Sequence, residues 1–158
     1  MVEMALVEAA RRAEWDAWYV AHQHRLLTIP GFRASQRFEA IHSAESPFVA
    51  LHEVDSAEIF ASPTYRAQAG PSNTGHRNLF DLAHSPNVPS ESRVVVIEDG
   101  VSALPAGTQL IWMTSVGLDR SVPRRALAVM SPTTADRLVG PHGIRVLKPI
   151  GPRLQETR

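Results

Sequence analysis

Glu14-Trp15-Asp16-Ala17-Trp18-Tyr19-Val20-Ala21-His22, continued by Leu26-Leu27-Thr28-Ile29-Pro30-Gly31-Phe32, is the stretch on which the fold turns. Trp15, Trp18, Tyr19, His22 and Leu26 recur at steps of three and four, the spacing that gathers side chains on one face of a helix. Arg11, Arg12, Glu14, Asp16, Gln23 and Arg25 mostly take the remaining positions. A helix over 9–27 follows, stopped at Pro30-Gly31, because proline cannot continue it and glycine tolerates the turn.

Outward from this helix the pattern changes period. Residues 2–8 read as a short strand leading into it. In 32–42, Phe38, Ala40 and His42 alternate with Arg37, Glu39 and Ile41, the two-residue repeat of a strand. Residues 43–47 form a turn and 48–54 a second strand antiparallel to the first. A helix opens at Asp55 or Ser56 and runs through 57–61, is interrupted at Ser62-Pro63, and resumes over 64–69. A Gly- and Pro-rich loop over 70–75 precedes 76–83, which suits a closing strand or a short helix equally. After a linker at 86–92 come strands at 93–98 and 108–116, helices at 122–130 and 133–139, a strand at 143–149, and a polar, frayed tail from Gly151.

Four segments in order resemble EthD-like and related dimeric α+β barrel proteins. They are the Trp-Tyr-His helix with its Leu-x-x-Pro-Gly-Phe continuation, Arg37-Phe38, the strand Phe48-Val49-Ala50-Leu51-His52-Glu53-Val54, and Ser62-Pro63-Thr64-Tyr65-Arg66. His52 stands where tyrosine is common. The resemblance covers about residues 1–84 and implies an α+β chain: a ferredoxin-like βαββαβ unit over 1–86, followed over 87–158 by an α/β extension or a degenerate second unit. It also implies a homodimer, since in that fold a partner buries the open sheet face. A second half folded over that face would be the internal alternative.

Composition narrows the function classes. Sixteen basic residues balance sixteen acidic ones, so no long-range field attracts a polyanion, and nucleic acid is not an expected partner. The absence of cysteine excludes disulfides, thiolate metal sites and a cysteine nucleophile. No apolar run approaches the roughly 20 residues of a membrane-spanning helix, and no secretory leader is evident, so no membrane partner and a cytoplasmic location are expected. His22 and His24 sit two apart on the helix and diverge, so they make no metal pair. Gly70-x-x-x-x-Gly75 lacks the following lysine of a phosphate-binding loop, and there is no Gly-x-Ser-x-Gly elbow. No metal or organic cofactor is expected.

The remaining chemistry centres on His22, on the apolar helix face one turn from Trp18 and Tyr19. An imidazole titrating near pH 6.5 can exchange protons at neutral pH, although a histidine that fixes the helix by hydrogen bonding fits equally well. His52 is preferred to Glu53 for the same cavity because it shares a strand face with Phe48 and Ala50. Tyr19 completes the catalytic candidates. Trp15, Trp18, Arg37, Phe38, Phe48 and Tyr65 are the substrate-binding candidates, with aromatic packing as the alternative for the tryptophans and a surface salt bridge for Arg37. The expected activity is cofactor-independent isomerase, cyclase or lyase chemistry on an aromatic, lactone or polyketide-like molecule. The alternatives are a cofactor-free monooxygenase of a phenol and a non-catalytic binding or assembly module.

Overall fold

The computed structural model describes residues 1–158 apart from 69–73, 102–103, 119–120 and 157–158. Its strands are β1 (Val2–Leu6), β2 (Phe32–Ala40), β3 (Phe48–Val54), β4 (Thr74–Leu82), β5 (Arg93–Glu98), β6 (Ile111–Leu118), β7 (Arg124–Met130), β8 (Ile144–Pro149) and β9 (Leu154–Gln155). The helices are α1 (Arg12–Leu26), α2 (Pro63–Ala67) and α3 (Pro132–Ala135), with single 3-10 turns at Ala9–Arg11, Ala57–Ala61 and Asp136–Leu138.

All the strand pairs are antiparallel, in the order β3-β1-β4-β6-β7-β5-β8-β2, and β2 pairs back onto β3. The ring is therefore closed, and β9 adds to β2 through Ala34–Gln155 and Ser35–Leu154. Four strands come from each half of the chain. Within each half the spatial order is the same: fourth, first, third, second.

This architecture corrects the α+β expectation. The protein is mostly β, a closed antiparallel barrel, and neither a ferredoxin-like α+β unit nor an α/β extension describes it. Two local readings fail with it. Residues 122–130, expected as a helix, contain strand β7, paired with β5 from Arg93–Met130 to Glu98–Arg125 and with β6. The tail from Gly151 is pinned by β9. The 86–92 linker sends Val88 into the core, where the Gln36 side chain donates to its carbonyl at 3.0 Å. The ring is closed by β2–β8 and β4–β6 pairing inside one chain. The open sheet face from which a homodimer was inferred is thus covered internally. The loop read over 70–75 lies largely outside the described residues.

Alternation along each strand divides the molecule into layers. Inward-facing Phe38, Val49, Leu51, Phe80, Val94, Val96, Met113, Leu127 and Leu147 fill the barrel together with Met1 and Val88. Outside, α1 covers one side by packing Trp15 and Tyr19 on Val2, Met4, Phe48 and Ala50. On another side, Ala135 and Leu138 cover Val95, Ala126, Ala128 and Val146. Gly31 makes the sharp exit from α1 possible, at φ 93°, a left-handed conformation that disfavours any side chain. Its carbonyl accepts from Asp55 N at 2.9 Å, tying the turn to the end of β3. Among the described residues no helix is long and apolar enough to cross a membrane.

Candidate functional site

The layer between α1 and the barrel holds most of the residues singled out in the sequence. Trp15 is buried against Phe48, with ring centroids 4.7 Å apart, and its indole N–H donates to Thr74 Oγ1 at 3.1 Å. Arg37 projects from β2 beneath the helix, where it donates to Asp16 Oδ1 at 2.7 Å. Its guanidinium lies 4.8 Å from the Trp15 centroid and 4.3 Å from that of Tyr19. The charge is thus satisfied by one carboxylate and two ring faces. Gln23, assigned to the polar side of the helix, is buried and donates to Ser35 Oγ at 2.9 Å. Trp15, Tyr19, Arg37 and Phe48 form a packed layer, and none of them lines either large cavity.

Two other binding candidates stand apart. Phe38 points the opposite way, into the barrel core. Tyr65, on α2, packs with Phe32 and Phe60 in a separate aromatic cluster.

The two histidines fall close together at the end of this layer. His22 stacks on Trp18 with centroids 4.5 Å apart and meets the edge of Tyr19 at 5.7 Å. His52 lies on the outer face of β3 beyond Ala50, with its ring against Phe32 at 5.8 Å and Phe60 at 6.3 Å. Glu53, on the opposite face, is exposed and pairs with Arg153. Both rings are buried, and the Nδ1 of each lacks a hydrogen-bond partner among the described residues. Burial, aided by Arg25, lowers the pKa of His22 from 6.5 to about 4. Burial lowers that of His52 further, to about 3, with the Met1 ammonium and His22 contributing. Both imidazoles are therefore neutral at pH 7, because removing a charge from water costs more than removing a neutral ring.

His52 opens onto a groove of about 860 Å³, while His22 and Tyr19 do not line it. The groove runs between the end of β3, the Ala57–Ala61 turn and the end of β4. Its polar wall includes Glu58, Arg66, Asp81 and His84, with Leu79, Phe80 and Phe60 supplying apolar surface. These residues went unnoticed in the sequence because no local spacing relates them to His52. They meet it only when β4 is placed across β1 from β3. The Ser56 and Ser62 side chains fix the floor, accepting from Glu58 N and Tyr65 N, both at 3.2 Å. These caps satisfy helix-end donors and hold the short turns in place. No cluster of three or more potential metal-ligating side chains exists among the described residues. The chain matches no family model, no curated protein and no solved structure.

Proposed function

We propose that the chain binds a small, mostly apolar molecule bearing a carbonyl or phenolic oxygen in the groove beside β3. His52 meets that oxygen as a neutral imidazole, with His22 behind it. The observation that carries this reading is a buried ring with an unpartnered Nδ1 on the wall of a groove of about 860 Å³, within the range of small-molecule sites. Cofactor-independent proton transfer, of the isomerase, cyclase or lyase kind, is the reaction class that such a pair suits. An imidazole this weakly basic polarises an oxygen by hydrogen bonding and serves as base only toward an already acidic C–H or O–H. Binding without turnover is the second reading. It is favoured by the use of Trp15, Tyr19 and Arg37 for packing. We place this work in the cytoplasm.

The test is a thermal-shift screen of phenols, lactones and aromatic acids against the wild type and His52→Asn, followed by turnover assays on every binder. A compound that stabilises the wild type and not the variant supports the groove as the site. Equal stabilisation of both proteins, with any turnover also unchanged in the variant, removes His52 from it. Turnover abolished in His52→Asn with binding retained would separate catalysis from mere binding.

A further inference from the structure

The opposite end of the barrel carries a different kind of site. Glu3, Asn78, Arg125 and Arg145 point inward there, below a cavity of about 370 Å³ whose rim includes Glu98 and His42. Glu3 is 1% exposed, and one of its oxygens serves two guanidiniums: Arg125 Nε lies 3.0 Å away, and Arg145 is in direct contact. One buried carboxylate thus faces two arginines, and the second compensating charge, Glu98, comes from the rim. Arg145 spends its other terminal nitrogen on the Ser46 carbonyl at 2.6 Å.

Arg125 is the less committed of the two. Its Nε is buried and, despite its proximity to Glu3, is aimed so that it makes no hydrogen bond with any described residue. Its second carboxylate, Glu98, belongs to the rim. It is 37% exposed at the side chain and reaches Arg125 Nη1 at 2.8 Å. His42 is not available to compete, since its Nε2 accepts from Val146 N at 3.1 Å and its Nδ1 meets the Ser43 carbonyl at 3.1 Å.

A carboxylate on a partly exposed rim that pairs with a buried guanidinium stands where a ligand carboxylate would stand. We propose that this end of the barrel binds a small organic carboxylate, which takes the Arg125 guanidinium in place of Glu98. The planar fork of arginine suits that group, and the enclosed setting strengthens the charge-assisted bonds. Burial disfavours the charged form of Arg145, so a carboxylate at this end of the barrel is also favoured by the neighbouring guanidinium. The cavity accommodates a molecule of the size of benzoate. It lies at the far end of the barrel from His52, so the site is independent of the groove.

The probe is benzoate, titrated at constant ionic strength into the full chain while the arginine Nε–H resonances are followed by NMR. A saturable shift of the Arg125 signal is expected, lost in Arg125→Lys, which keeps the charge but not the fork. Glu98→Ala removes the competing carboxylate and should bind benzoate roughly two- to fivefold more tightly, the range of a partly exposed ion pair. Circular dichroism checks that each variant is folded; if Arg125→Lys is not, Glu98→Ala alone decides. The proposal is overturned if neither wild type nor Glu98→Ala shows a saturable shift, or if folded Arg125→Lys binds as well as wild type. It is also overturned if inorganic phosphate or chloride displaces benzoate at equal concentration, which would show only general attraction of anions.

Discussion

His52 and His22 carry a signature that a surface histidine would not. Their folded pKa values, about 3 and about 4, lie below the ordinary 6.5 of the unfolded chain. Between these limits the unfolded chain binds protons that the folded one refuses, so stability falls as pH drops from about 6.5 toward 4 and levels below the folded values. Urea midpoints measured from pH 7.5 to 4 should show this slope in wild type and a shallower one in His52→Asn, where one titrating ring is gone. An unchanged slope would mean that the His52 ring is hydrated. Glu3 gives the opposite kind of residue-scale test. Glu3→Gln keeps the shape and removes the charge that both buried arginines share. A loss of about 3–5 kcal/mol in unfolding free energy is expected, the usual result of stranding a buried ion.

Elements show why patterns of equal strength were unequal guides. In α1 the burial follows the sequence period, with Trp15, Tyr19, His22 and Leu26 inward, since the apolar face needed only a sheet to lie on. Trp15→Ala should cost about 3–5 kcal/mol by chemical denaturation, because the ring leaves a void between the helix and Phe48. The turn out of α1 is equally constrained. A Cβ on Gly31 would sit 3.2 Å from Ile59 Cδ1 in a left-handed conformation, so Gly31→Ala should cost roughly 1–2 kcal/mol. β7 shows the reverse situation. Arg125, Leu127 and the alanines at 126 and 128 are good helix formers, and only their neighbours assign them otherwise. Between β5 and β6, Leu127 faces the barrel and the two alanines fit under Ala135 and Leu138. Tertiary contact outweighs a propensity difference of a few tenths of a kcal/mol per residue.

At the scale of the molecule, closure governs stability. Residues 1–86 alone would expose the free edges of β2 and β4, which in the whole chain pair with β8 and β6. They would also uncover Phe38, Val49 and Leu51, which depend on Val94, Leu127 and Leu147 from the other half. A fragment of those residues should therefore aggregate or remain largely unfolded, since bare strand edges and apolar faces associate. The full chain should unfold in one cooperative step. Size-exclusion chromatography of the fragment and urea unfolding of the full chain followed by two spectroscopic probes check both statements.

By itself the sequence determined the elements whose apolar spacing is strong and local. These are α1 from its aromatic steps, β2 from its alternation, β3 as its antiparallel partner, and β5 and β8 as the strands read at 93–98 and 143–149. It also brought forward His22 and His52, because a polar residue on an apolar face is conspicuous without any partner in view. The tertiary structure alone decided that β4 joins β6 and β2 joins β8, making a barrel of what local pattern presented as a helix-covered sheet. It alone decided that Arg37 and Trp15 pack against each other, that Asp81 and His84 share a groove with His52, and that Glu3, Arg125 and Arg145 meet. Those pairings join residues as far apart as 142 positions. Periodicity reports which way a side chain faces relative to its own element, and the element it faces is chosen by the packing of the whole chain.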